Sequence, residues 1–168
     1  MKNVIFIAVL SVILILGCKK SSSTSTPKTT TQPPNTTVNQ QGTLSFSIGN
    51  GSALTAATGS LTCSLLNNEL NIYGATSSNN YAVNLFIPNA VGTYTLNAGS
   101  NYAIFYNNLT NNSYQTNSTY TGTVAVTQYD ATGKTVSGTY SFNALSTTSG
   151  TGTSTVSITN GNFTNISF

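Results

Sequence analysis

The sequence predicts an all-β domain: a single antiparallel sandwich or flattened barrel of about nine to ten strands, mostly joined by hairpins. Three observations carry this expectation. From Gly42 onward apolar residues recur with period two, as in Leu44, Phe46 and Ile48 alternating with Thr43, Ser45 and Ser47. Turn-forming pairs such as Asn50-Gly51 and Asn67-Asn68 punctuate these runs at short intervals. No stretch of the domain carries a 3.6-residue apolar period, so helix should be nearly absent.

The strands follow from that alternation. After Thr43–Ile48 a short strand is expected around Ala53–Ala57. Longer ones follow over Ser60–Leu66, Glu69–Tyr73, Tyr81–Ile87, Tyr102–Tyr106, Thr119–Tyr129, Thr135–Leu145, Ser154–Thr159 and Asn162–Phe168. Asn160-Gly161 is expected to join the last two in a tight hairpin. The two most regular strands put Tyr120, Gly122, Val124 and Val126 on one face, and Val136, Gly138, Tyr140, Phe142 and Ala144 on another. The turn at Asp130–Lys134 makes them antiparallel neighbours. Glycine inside a strand marks a bend or an aromatic ring packed over the backbone, and Tyr120 and Tyr140 are the expected covers of Gly122 and Gly138. Phe163 has the opposite parity to Ile166 and Phe168, which calls for a bulge, and the terminal Phe168 should tuck into the core.

Ahead of this domain, residues 1–17 read as a signal segment and residues 18–41 as a linker, leaving 42–168 as the β domain. Lys2 is a positive start, and Val4 to Leu16 is an apolar run of about thirteen residues, where a spanning helix needs roughly 20. The run ends in Ile15-Leu16-Gly17-Cys18, which resembles the lipobox of bacterial lipoproteins. That resemblance implies cleavage before Cys18 and lipid on its thiol, a firm anchor because each buried methylene contributes about 0.8 kcal/mol. Lys19 to Gln41 is rich in Ser, Thr, Gln and Pro and offers no apolar face to bury. As a flexible coil it would hold the domain on the order of 25 Å from the membrane.

Composition narrows the chemistry. The chain has no His and no Trp, and all five of its basic residues are Lys. Gly42 to Phe168 holds only Glu69, Asp130 and Lys134 as formal charges. A Ser-His-Asp triad is therefore excluded, and paired-carboxylate catalysis has only Glu69 and Asp130 to draw on. Turn chemistry is the expected role of both, since Asp accepts backbone hydrogen bonds and the neighbouring Gly supplies a positive φ. A transition-metal site cannot be assembled, and one domain lysine does not make a nucleic-acid surface. The chain is thus expected to be non-catalytic, without cofactor or metal and without a nucleic-acid partner. Ser, Thr and Asn, about two-fifths of the chain, supply its solubility instead of charge. Cys63 alternates with Leu61 and Leu65 and reads as a small core residue.

Several segments together resemble a known family. These are Gly122-Thr123-Val124-Ala125-Val126-Thr127-Gln128-Tyr129-Asp130, Val136-Ser137-Gly138-Thr139-Tyr140-Ser141-Phe142 and Val156-Ser157-Ile158-Thr159-Asn160-Gly161-Asn162-Phe163, with Gly92-Thr93-Tyr94. With Cys18-Lys19-Lys20 and the Ser-rich tether, they resemble a family of uncharacterised all-β lipoprotein domains from Bacteroidota. The resemblance implies a fold and a place in the cell envelope, lipid-anchored at the outer membrane. It implies no activity and no site residues. No acidic residue precedes Glu69, so the periplasmic face is at least as consistent with the resemblance as the cell surface.

Two functions fit these constraints. The first is a binding module for an uncharged ligand such as a glycan, because nine Tyr and many Asn offer stacking faces and amide hydrogen bonds without charge. The ligand-binding candidates are Tyr102, Tyr106 and Tyr114, which lie close in sequence to Asn107-Asn108 and Asn111-Asn112. The second is a structural or assembly component that docks another envelope protein through a sheet edge poor in the Lys residues that usually guard edges.

Overall fold

In the computed structural model, residues 41–148 and 153–168 are described; the expected signal segment, Cys18 and nearly all of the expected linker lie outside them. The described residues form one curled antiparallel sheet, a half-barrel. Its strands are β1 (Thr43–Ile48), β2 (Leu54–Thr55), β3 (Thr62–Leu66), β4 (Glu69–Ala75), β5 (Tyr81–Pro88), β6 (Gly92–Leu96), β7 (Tyr102–Asn107), β8 (Asn112–Gln115), β9 (Gly122–Asp130), β10 (Thr135–Ser146) and β11 (Thr155–Ser167). The single helical turn among these residues is a 3-10 turn over Thr58–Ser60.

The sheet runs β2-β1-β11-β10-β8-β7-β5-β4-β3, and β9 pairs β10 on one side and β6 on the other. β10 and β11 are long enough to serve both parts. Thr135–Phe142 pairs β9, Leu145 and Ser146 pair β8, and β11 follows β10 along almost its whole length. The sheet curls until the residues after β2 reach the end of β4, the strand next to the far edge, where Ala56 bridges Thr76 and the Ala57 amide donates to the Ala75 carbonyl at 2.8 Å.

The curl has an identifiable cause in β11. Two irregularities interrupt its ladder with β10, one between Tyr140 and Phe142 and one between Val136 and Gly138. At each, an Asn takes a positive φ, Asn160 at 51° and Asn165 at 49°. Asn tolerates that region better than most residues, and an extra residue on one strand bends it. The Ser137 hydroxyl fixes the second bulge by accepting from the Asn165 amide at 2.9 Å. Ile158, Gly161, Phe163 and Ile166 consequently all face inward despite their uneven spacing. The expected bulge between Phe163 and Ile166 is thus present. The expected hairpin at Asn160-Gly161 is not: β11 is one strand of 13 residues, paired on both sides, and Asn160 only bends it.

The glycine covers also differ from expectation. The Phe163 ring lies over Gly138, where a Cβ would meet Cζ at 2.5 Å, and the Tyr140 ring lies over Gly161. Gly122 faces Phe142 across the β9–β10 ladder instead of a Tyr120 ring. The concave side is the core, filled by Leu44, Phe46, Leu85, Phe105, Phe163 and their neighbours. Phe46 and Phe105 meet edge to face at 6.2 Å. Cys63 is buried there, and burial pushes its thiol up to about 12, so it stays protonated and unreactive. Phe168 packs at the rim of the core, half-buried and stacked on Tyr129 at 5.4 Å, with the Lys134 ammonium 5.7 Å from its ring.

Two strands come without a signal in the alternation. β6 is an edge strand with only Leu96 buried, and β8 contributes only Tyr114 to the core. The Asn50-Gly51 hairpin signal does join β1 to β2, but the residue at positive φ is Gly49.

Candidate functional site: an uncharged aromatic platform on the outer face

Strand alternation sorts the candidate tyrosines. Tyr102, Ile104 and Tyr106 are alternate residues of β7 and share its outer face, half-exposed, while Ala103 and Phe105 point into the core. Tyr114 pairs directly with Phe105 across the β7–β8 ladder, so it too points inward. It is buried, tilted against the Phe105 ring at 6.0 Å. The structure therefore brings Tyr102 and Tyr106 together and removes Tyr114 from the site. The cause is the register of the β7–β8 turn, which sets Tyr106 opposite Ser113 and leaves Tyr114 one residue out of phase.

The rest of the outer face comes from β4 and β5. Ser64, Asn71, Phe86 and Tyr102 are consecutive cross-strand partners over β3, β4, β5 and β7. Strands lie about 4.8 Å apart, so this row spans roughly 14 Å. A second row, one pleat along, runs Thr62, Tyr73, Asn84, Ile104 and Gln115. Phe86 and Tyr102 stack nearly parallel, with ring centroids 4.2 Å apart and planes 14° from each other. Sequence reasoning missed Tyr73, Asn84 and Phe86. The signal for Asn84 and Phe86 was the outward phase of Tyr81–Pro88, in which Phe86 stands between Asn84 and Pro88, a large ring on a face that otherwise reads as solvent.

Two phenols of this face, Tyr102 and Tyr106, are shifted upward. Partial burial pushes Tyr102 above its ordinary value, with smaller pushes from the Glu69 carboxylate and from Tyr106. Burial also raises Tyr106, helped by Tyr73 and opposed by a hydrogen bond from the Asn84 amide. Among the described residues Asn84 Oδ1 is buried without a hydrogen-bond partner. The rings are thus flanked by amides from Asn71 and Asn84, and not by the loop asparagines expected from sequence. Asn108 instead donates to the Asn79 carbonyl at 2.6 Å, and Asn111 takes a positive φ in the β7–β8 turn.

At one end of the platform lies a cleft of about 200 Å³ lined by Ser64, Leu66, Asn67, Glu69, Asn71 and Phe86. The β3–β4 turn builds it. Asn67 and Asn68 both take positive φ, at 52° and 64°, the signature of a two-residue type I′ turn that sets Leu66 opposite Glu69. Asp130, the other carboxylate of the domain, serves its own turn by accepting from the Thr132 and Gly133 amides at 2.9 and 2.8 Å. Two wider hollows of about 600 and 550 Å³ lie over β9, β10 and β11 and share Thr123, Ser141 and Thr159. They are open and lined mostly by Ser, Thr and Asn residues, and the Tyr140 and Phe142 rings at them are buried and expose almost no surface. The platform adds ring surface to its polar groups, which makes it the stronger candidate.

A family model described as a domain of unknown function (DUF6252) matches residues 50–167, most of the chain. The chain belongs to this family. The match takes in every strand from β2 to β11, and so the platform and its cleft. Comparison with curated proteins and with solved structures finds no match.

Proposed function

We propose that the protein is a non-catalytic binding module of the cell envelope, anchored through lipid on Cys18, that takes an uncharged ligand such as a glycan on the outer face of β4, β5 and β7. The observation that carries this reading is the Phe86–Tyr102 stack standing on an outer sheet face beside a cleft lined mostly by polar side chains. Aromatic rings bury the C–H faces of sugars, and Asn, Ser and neutral phenols exchange hydrogen bonds with hydroxyls without demanding a charge. The near absence of charge on the domain weighs against phosphorylated or strongly anionic ligands.

A glycan-array screen of the purified protein tests the reading. Tyr102→Ala is expected to weaken binding of any glycan retained by about 1–3 kcal/mol, as for an aromatic anchor, and Tyr106→Ala by a comparable amount. Unchanged affinity in both variants would move the function to the second reading, docking of another envelope protein. One observation favours that alternative: Leu66 is 71% exposed at the end of β3, a strand at the edge of the sheet. Docking through this edge would survive Tyr102→Ala.

The anchor has its own test. Cys18→Ala is expected to release the protein from the outer membrane while leaving the β domain folded, as read by fractionation and circular dichroism. Retention of the variant in the membrane fraction would assign attachment to the apolar segment Val4 to Leu16 itself.

A further inference from the structure

The cleft beside Phe86 has a chemistry more specific than the platform as a whole. Phe86 has two ring faces. Tyr102 covers one at 4.2 Å, and Asn71, which lines the cleft, is the cross-strand partner of Phe86 on the opposite side, so the uncovered face is the one turned toward the cleft. The remaining lining is polar apart from Leu66: the Ser64 hydroxyl, the Asn67 and Asn71 amides and the Glu69 carboxylate. Glu69 is held at the first residue of β4, between Leu66 and Pro88 across the two flanking ladders.

We propose that this cleft is the specificity subsite of the platform. It takes the terminal pyranose ring of a neutral saccharide, with a C–H face on Phe86 and two neighbouring hydroxyls donating to the Glu69 carboxylate. The proposal rests on the saccharide reading above. Its size admits one ring: at about 200 Å³ it falls below the usual range of pockets for drug-sized ligands, roughly 300–1,000 Å³. Its polar groups select among ligand classes. A carboxylate only accepts hydrogen bonds and takes two donors side by side, which a pair of adjacent hydroxyls supplies. Asn67, Asn71 and Ser64 both donate and accept, matching hydroxyls that do the same. An ammonium ligand would suit Glu69 and the Phe86 face, but it only donates and leaves the Asn donors without a partner. An anionic ligand would meet Glu69 as a like charge. Tyr102 acts behind Phe86 as a positioning residue, holding the ring upright.

The test uses the purified full chain with methyl β-D-glucopyranoside, methyl β-D-galactopyranoside, methyl α-D-mannopyranoside and tetramethylammonium as probes, followed by ligand-observed NMR. At least one glycoside is expected to bind with its ring C–H protons shifted upfield by Phe86. Phe86→Leu should abolish that shift and weaken binding at least tenfold, while Phe86→Tyr restores both. Glu69→Gln should weaken binding about tenfold with the upfield shift retained, and raising salt tenfold should change the wild-type affinity less than twofold. Glycoside binding unaffected by Phe86→Leu and Glu69→Gln would overturn the subsite and leave the saccharide reading standing. Salt-sensitive binding of tetramethylammonium without any glycoside binding would overturn the ligand class. Absence of binding by every probe and on the glycan array would overturn both.

Discussion

Replacing Phe163 by Ala is expected to destabilise the domain by about 3–5 kcal/mol, the range for removing a fully buried phenyl ring. Whole domains are stable by only about 5–15 kcal/mol, so this one change removes a large share. Phe163 has no exposed surface, and it bridges two features that define the curl. Its ring lies on Gly138 of β10 and tilts against Tyr140 at 6.3 Å. Gly138 has no side chain with which to fill the void, so the cavity persists. Tyr140 is itself fixed from the far side, because its hydroxyl donates to the Ser45 carbonyl at 3.2 Å. Gly138→Ala tests the same contact from the other strand. Its Cβ would collide with the Phe163 ring and with the Ala125 carbonyl, so stability should fall there too. In the double variant only the ring clash is relieved, since the Ala125 carbonyl belongs to the backbone, and rescue should be partial. Urea unfolding of the two single variants and the double reads all three values. A loss below about 1.5 kcal/mol for Phe163→Ala would mean that neighbouring side chains collapse into the space.

This pair also marks where the sequence was legible and where it was not. β1, β5, β7 and the β9–β10 hairpin were readable because one face is apolar and the other polar, so period two survives in the letters. The β3–β4 hairpin was readable from Asn67-Asn68, whose side chains tolerate positive φ. β8 was not, because Asn112–Gln115 needs only Tyr114 to pack and draws the rest of its order from neighbours on both sides. Asn160-Gly161 misled for a physical reason. Asn at positive φ serves a two-residue turn and a bulge equally well, and the choice between them is made by whether partner strands lie on both sides. β1 and β10 do, and nothing local to residues 155–167 reports it. The site divides along the same line. Tyr102 and Tyr106 share a face by alternation within one strand, which the sequence states directly. Phe86, Asn84 and Tyr73 join them only through the registers of β4, β5 and β7, and Tyr114 leaves them only through the register of β7 with β8.

Raising the pH above 9 is expected to destabilise the domain, with a slope of about 1.4 kcal/mol per pH unit from Cys63 alone. The native thiol is held up to about 12 by burial, against an ordinary value of 9.0. Above pH 9 the unfolded chain therefore releases a proton that the native state keeps. The unfolded state then binds fewer protons, and stability falls as pH rises until the native thiol ionises as well. Tyr140 acts with the same sign, beginning near its ordinary 10.0, because burial in the core raises its phenol further still. By pH 11 Cys63 should have removed about 3 kcal/mol, with Tyr140 adding to it. The unfolding free energy measured in urea at pH 8, 9.5 and 11 checks this. Cys63→Val keeps the core apolar and should flatten the slope by about one proton, at whatever cost in packing at pH 8. A slope unchanged in that variant would show that Cys63 does not control alkaline unfolding, and that the raised phenols, Tyr140 first, account for the loss.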